Sequence, residues 1–327
     1  MKYQKILNSA KNSRSLRELP DYSACSVDFI SNDYLGMADC KIAHQLLSSQ
    51  AGRGSRLIAG NAPEALACEA FLAKHYDAEA ALVFNSGYTA NLGLFSCLAQ
   101  KDEIVLYDEY CHASISDGLR LSLGKSFGFK HNDLNVLESK LQQFQGNSIC
   151  VVVEACYSME GDFANLATLF ELSKRYDFKI IVDEAHSLGI CGENGLGLAH
   201  KFAENPALLA RVLTFGKSIG AHGAAVLTNT ELKSYLIHAC RPFIYTTALP
   251  PESYLRIQKC VDFVKQNEDL RTKLQSNIQK FCASFNTSNS HIQSIQIKGI
   301  NEIKSIVLHA KNKGIALKGV WSPTVDR

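Results

Sequence analysis

Lys179-Ile-Ile-Val-Asp183-Glu-Ala-His186 and, further along, Val212-Leu-Thr-Phe-Gly-Lys217 are the stretches whose reading decides the fold. Each is a short apolar run that stops at polar side chains. Runs of this length with no polar alternation read as strands buried on both faces. Similar runs occur at Ala81–Phe84, Ile104–Tyr107, Ile149–Glu154 and Ala224–Thr228. Helical spacing separates several of them, as in Asn165–Tyr176, where Leu166, Leu169, Phe170 and Leu172 mark one face. Buried strands alternating with helices predict an α/β fold around a mainly parallel sheet with helices on both sides. Val212–Phe215 and Ala224–Thr228 stand too close for a helical crossover, which predicts an antiparallel pair.

Outward from this centre, a polar helical stretch opens the chain, Val27–Ser31 reads as a short strand, Gly52–Gly60 as a glycine-punctuated loop and Glu64–His75 as a helix. After Pro250-Pro251 the character changes to a long charged helical stretch, Glu252–Phe285. A polar segment follows, then Ile292–Ile297 and Ser305–His309, both read as strands. The expected organisation is an N-terminal segment 1–45, a large α/β domain 46–250 and a smaller α+β region 251–327. No internal repeat is evident.

Composition narrows the function classes. With 46% hydrophobic and 20% charged residues among 327, the chain is ordinary for a globular protein. A formal net charge of +2 supplies no basic field that would recruit nucleic acid or anionic membrane. The 11 cysteines are irregularly spaced with no Cys-x-x-Cys pair, and Met1–Ile6 lacks a secretory core. Reduced thiols in a cytoplasmic protein are therefore expected. No apolar run approaches the ~20 residues that span a bilayer.

The polar ends of the strands carry the chemistry. A lysine amine forms a Schiff base with an aldehyde cofactor, and an aspartate keeps a pyridinium nitrogen protonated, so that the ring accepts electrons. Lys217 and Asp183 supply these parts for pyridoxal phosphate. In Leu82-Val-Phe-Asn-Ser-Gly87-Tyr88-Thr-Ala-Asn91 a strand runs into a helix start, whose free N–H groups bind phosphate. His112 follows Ile104–Tyr107 and could cover an aromatic ring or assist proton transfer. Ser158 follows Ile149–Glu154, and His186 follows Asp183. Taken singly, each is an ordinary strand–helix turn or a solvated lysine. Together Gly87, His112, Ser158, Asp183, His186, Thr214 and Lys217 converge on one rim, the place where open α/β sheets bind ligands. Asp183-Glu-Ala-His186 also spells a helicase-type box, but the chain has no Gly-x-x-x-x-Gly-Lys-Ser/Thr phosphate loop. No zinc-like ligand spacing accompanies it, and Ser158 has no Gly-x-Ser-x-Gly elbow, so no metal site or nucleophile elbow is expected.

Six segments together resemble the α-oxoamine synthase family, whose fold is that of the aspartate-aminotransferase-like (fold-type I) pyridoxal-phosphate enzymes. They are Ser31-Asn-Asp-Tyr-Leu-Gly36, Phe84–Asn91, His112-Ala-Ser114, Ser158-Met-Glu-Gly-Asp162, Val182–His186 and Thr214-Phe-Gly-Lys217. The likeness runs from about Arg17 to the C-terminus. It implies a seven-stranded-type sheet with a smaller C-terminal domain. Gly216–Leu227 and Phe243–Pro251 are most similar to the members that serve biotin biosynthesis; His131-Asn-Asp133 is similar to them too but is shared more widely in the family.

Roles follow from the resemblance. Lys217 would bond the aldehyde, Asp183 pair with the ring nitrogen, His186 bond the phenolic oxygen and His112 stack over the ring. Ser158 and Thr214 would contact cofactor oxygens, with Gly87 and Tyr88 on the phosphate side. Arg17 and Thr324 resemble substrate-contacting positions, and Thr246 or Thr247 the residue that reaches the neighbouring subunit's phosphate in a homodimer with shared active sites. The implied activity condenses L-alanine with a pimeloyl thioester, carried by coenzyme A or acyl carrier protein, with loss of carbon dioxide. Competing expectations are a sister activity on glycine or serine with another acyl-CoA, and a non-catalytic cofactor binder. Two departures count against the transfer of roles. Ala62–Ala65 stands where relatives often carry a histidine, and Pro323–Arg327 ends before the usual arginine-rich strand, so the C-terminal domain is expected to be incomplete. The non-catalytic alternative rests on this second departure.

Overall fold

A computed structural model describes residues 2–12, 16, 21–40, 51–285 and 287–321. Its strands are β1 (Val27–Asp28), β2 (Ala80–Phe84), β3 (Glu103–Asp108), β4 (Lys125–Phe129), β5 (Ser148–Glu154), β6 (Lys179–Asp183), β7 (Leu208–Thr214), β8 (Ala224–Thr228) and β9 (Ile315–Ala316). Seven form one sheet in the order β2-β8-β7-β6-β5-β3-β4. β8 runs antiparallel to both of its neighbours, and the remaining pairs are parallel. Hence the carboxyl ends of β2, β3, β5, β6 and β7 open on one rim, and the expected pairing of β7 with β8 is present.

The apolar runs become strands because helices cover both faces. In β5, Val152 packs into one cluster with Leu94 and Ile115, while Val151 and Val153 pack into another with Leu169 and Phe170. β6 alternates likewise, Ile181 on one side and Ile180 and Val182 on the other. Each such fully buried aliphatic chain contributes about 1.5–3 kcal/mol. The strand β4, Lys-Ser-Phe-Gly-Phe, escapes an apolar reading because it is an edge strand with exposed and half-buried positions.

The chain forms two compact units, residues 33–293 and residues 1–32 with 294–327. The first holds the large sheet and the helices Pro251–Gln266 and Glu268–Ser284 that follow the proline pair. In the second, β1 pairs parallel with β9. Two strand expectations are corrected here. Ser305–His309 lies inside the helix Ile300–Asn312, because Ile300, Ile303, Val307 and Ala310 recur at helical spacing on one side. Ile292–Ile297 joins no ladder among the described residues. Arg17 and Thr324 lie outside the described residues.

Candidate active site

The rim assembles the expected residues by strand register. Glu154 and Asp183 end neighbouring strands as direct partners, and Thr214 lies opposite Ala224, next to Phe84 across β8. Lys217 stands in the turn between β7 and β8. That turn is closed by Gly220 N–H to Lys217 O (3.0 Å), Ala221 N–H to Phe215 O (2.9 Å) and Phe215 N–H to Gly223 O (3.0 Å). Ser218 fastens it below by donating to the Leu188 carbonyl.

Lys217 Nζ lies 2.7 Å from His186 Nε2. Burial holds this amine below the usual lysine range against the opposing pull of Asp183 and Glu154. Burial, with the Lys217 charge next, lowers the His186 pKa to about 2, so the imidazole is neutral. Asp183, 4% exposed, accepts the Ala185 N–H at 2.8 Å on one oxygen and Asn91 Nδ2 at 2.7 Å on the other. Asn91 Nδ2 also reaches Ser114 Oγ (3.1 Å), which lies 2.8 Å from His112 Nδ1. The His112 backbone N–H donates to Glu154 Oε1 at 2.5 Å. Burial, then the neighbouring Asp183, pushes the Glu154 carboxyl well above the carboxylate range. His112 itself is shifted down, chiefly by burial.

At the other end, Ser86 caps the helix Gly87–Leu98, accepting from the Thr89 N–H while the Thr89 hydroxyl accepts the Ser86 N–H. The N–H groups of Gly87 and Tyr88 are left outside the intrahelical ladder and free to meet an anion. Gly87 is required there, since a Cβ would stand 2.4 Å from Thr214 Oγ1. Thr214 is thereby placed beside the anion position. The Tyr88 side chain turns away, 45% exposed, and donates to Asp117. Asn85 Nδ2 binds Thr246 Oγ1 (3.3 Å) and the Thr247 carbonyl (2.8 Å), which draws that loop to the same end.

Ser158 lies on the turn Tyr157–Asp162, which Gly161 N–H to Tyr157 O closes at 3.0 Å. Beside it His131 is clamped, Nδ1 to Asp108 and Nε2 to Asp162, both at 2.9 Å. Burial opposes charge on this ring, but the two carboxylates outweigh it and push the pKa up to about 10. Four residues gathered here had no role assigned from sequence: Tyr34, whose hydroxyl lies 2.7 Å from His186 Nδ1, Asn91, Glu154, and His291, whose ring meets that of Tyr34 edge-on. The first two sit inside segments that carried the family likeness, so a polar residue within such a segment was the available signal.

A neutral-prone amine, a carboxylate held end-on by two donors, a neutral histidine and an anion cradle lie along one rim. Among the described residues no cluster of three His, Cys, Asp or Glu is arranged to hold a metal. The donor set fits pyridoxal phosphate: the cradle at Gly87 suits a phosphate, Asp183 a ring nitrogen, His186 a phenolic oxygen and Lys217 an aldehyde.

Residues 26–305 match the family model described as aminotransferase class I and II. The chain belongs to that family, on its 8-amino-7-oxononanoate synthase branch. The 8-amino-7-oxononanoate synthase of Geotalea daltonii (strain DSM 22248 / JCM 15807 / FRC-32) is 34% identical over 316 residues, spanning 90% of this chain and 79% of that protein. The crystal structure of 8-amino-7-oxononanoate synthase from Francisella tularensis aligns with a TM-score of 0.76 at 30% identity, covering 91% of this chain and 89% of that one. A structure of SPT with its PLP internal aldimine aligns with a TM-score of 0.85 at 28% identity, covering 91% of this chain and 79% of that one. The fold-type I architecture expected from the sequence is thus the one found. Among the described residues no helix is long and apolar enough to cross a membrane.

Proposed function

We propose that this chain is a pyridoxal-phosphate-dependent acyltransferase that condenses L-alanine with a pimeloyl thioester, on coenzyme A or acyl carrier protein, to 8-amino-7-oxononanoate for biotin synthesis. The observation that carries the reading is the largely buried Lys217 amine, 2.7 Å from a neutral His186 and on the same rim as Asp183. When bound, pyridoxal phosphate supplies a ring that delocalises the electrons left on an amino acid's α carbon. Asp183 orients that ring through its nitrogen, with its own direction fixed by Asn91 and the Ala185 N–H. His112 covers the ring face, and His186 binds the phenolic oxygen. Thr214 and the N–H groups of Gly87 and Tyr88 hold the phosphate, and Ser158 contacts a cofactor oxygen. Lys217 Nζ would hold the aldehyde and is the group placed to move a proton at the α carbon; burial, which lowers its pKa from the usual lysine range, favours the neutral amine that such a role needs.

The proposal includes a cytoplasmic homodimer in which Thr246 or Thr247 reaches the partner's phosphate, and substrate contacts from Arg17 and Thr324. The higher TM-score to SPT favours a second reading, a sister synthase that takes serine or glycine with another acyl-CoA. Mass analysis of products from paired amino acids and acyl donors separates the two. L-Alanine with a pimeloyl thioester is expected to give the only efficient turnover; preference for serine or glycine with a long-chain acyl-CoA would overturn the first reading.

A further inference from the structure

Tyr34 stands on a turn that is built locally. Asp33 caps it, accepting the Met37 N–H at 2.7 Å and the Ala38 N–H at 3.0 Å, with Gly36 at φ +68°. The turn is pressed onto the lysine turn: a Cβ on Gly220 would lie 2.5 Å from Met37 Cβ. Met37 itself is 1% exposed. From the other side the His291 ring meets Tyr34 edge-on, with centroids 4.4 Å apart at 70°. The segment bearing His291 is pinned in turn, since Ser288 donates to the Gly161 carbonyl at 2.9 Å and a Cβ on Gly161 would collide with the Ile292 carbonyl. Held between these walls, the Tyr34 hydroxyl lies 2.7 Å from His186 Nδ1, while the opposite edge of the same imidazole faces Lys217 Nζ at 2.7 Å.

We propose that Tyr34 is a positioning residue whose hydroxyl donates to His186 Nδ1 and so holds the imidazole as the tautomer with its proton on Nε2, facing Lys217. A neutral imidazole has one N–H and one lone pair, so a bond donated to Nδ1 fixes the proton on the other nitrogen. Burial keeps His186 neutral, which makes the choice of tautomer the remaining freedom. The consequence is directional. Nε2–H faces Lys217 Nζ at 2.7 Å and would donate into a phenolic oxygen when pyridoxal phosphate is bound. The opposite tautomer would turn a lone pair toward that oxygen and repel it. This inference rests on the function proposed above for the use of His186, but its test does not depend on turnover.

The full chain, labelled with 15N-histidine, is read by long-range proton–nitrogen spectra with pyridoxal phosphate bound and after its removal. His186 is assigned by its loss in His186→Gln. The expected result is protonated Nε2 and unprotonated Nδ1 in both states, and for Tyr34→Phe a tautomer mixture or a proton moved to Nδ1. In the loaded enzyme Tyr34→Phe is expected to lower kcat about tenfold with KM for the amino acid little changed. A proton on Nδ1 in the unmodified chain, or an unchanged His186 signature in Tyr34→Phe, overturns the proposal. Should Tyr34→Phe fail to fold, 3-fluorotyrosine at position 34 keeps the shape and strengthens the donor. The Nδ1 resonance must then move further toward a hydrogen-bonded position, and no movement overturns the proposal equally. These spectra decide the tautomer whether or not the chain turns over the alanine pair.

Discussion

Asp183 and Glu184 are consecutive carboxylates at the end of one strand, and the structure treats them in opposite ways. Asp183 faces the rim and accepts from two donors, Asn91 and the Ala185 N–H. Glu184 points to the other side, 0% exposed, where it accepts from Arg211 Nε (3.1 Å), the Leu198 and Ala199 N–H groups (both 2.9 Å) and the Ser187 hydroxyl, with Arg211 Nη2 in ion-pair contact at 3.0 Å. Gly197 leaves room for it, since a Cβ there would stand 2.5 Å from Glu184 Oε2. A buried carboxylate saturated by protein donors is part of the scaffold. One that is oriented but not saturated has capacity left for a ligand. Burial alone does not distinguish them; the count of donors does.

The largest effect should come from the ligand side of this contrast. Lys217→Ala is expected to cut turnover at least about a thousandfold, some 4 kcal/mol of barrier, while the melting temperature stays nearly unchanged. Residual activity above a tenth of the original, in a steady-state assay, would remove Lys217 from the chemistry. Glu184→Ala should do the reverse in kind, costing about 3 kcal/mol in urea unfolding because Arg211 is left buried without its carboxylate. A loss under about 1 kcal/mol would erase the distinction drawn between the two carboxylates.

His131→Gln tests a third carboxylate setting, in which Asp108 and Asp162 share one ring. The folded pKa, about 10, lies above the ordinary histidine value, so the stabilisation is fully present below about pH 6.5 and is lost as pH rises through the folded pKa. At pH 6 the variant should be less stable by about 2 kcal/mol, and the gap between the two melting curves should narrow steadily toward pH 10. A gap that does not change with pH would mean that the ring is held without its charge. The smallest effect is expected from Asn91→Ala. It removes one of the two donors on Asp183 and should lower kcat about tenfold, with weaker pyridoxal-phosphate affinity and little change in stability. If Asp183 tolerates the loss with full activity, end-on orientation by two donors is not what the site needs.

Much of the fold was legible because β5 and β6 are uninterrupted aliphatic runs and because the β7–β8 spacing forbids a helix between them. What was missed has a physical cause in each case. β4 is an edge strand with too little apolar content to declare itself, and Ser305–His309 is five residues of a helix whose period shows only over the whole of Ile300–Asn312. The rim residues Lys217, Asp183, His186, His112 and Gly87 were readable because each lies at or just past a strand end or at a helix start. Tyr34 and His291 were not, since their partners are set by tertiary contact: Tyr34 meets His186 across 152 positions, and no local pattern announces such a pairing.

The turn that carries Lys217 has a further consequence. It joins two strands adjacent both in sequence and in the sheet, so the backbone bearing Lys217 belongs to a local hairpin that closes quickly. The side chains near it, Tyr34, Asn91 and His291, must be gathered from distant parts of the chain at a cost in loop-closure entropy. The backbone around Lys217 and the side chains that surround its amine are therefore ordered by contacts of very different range along the chain.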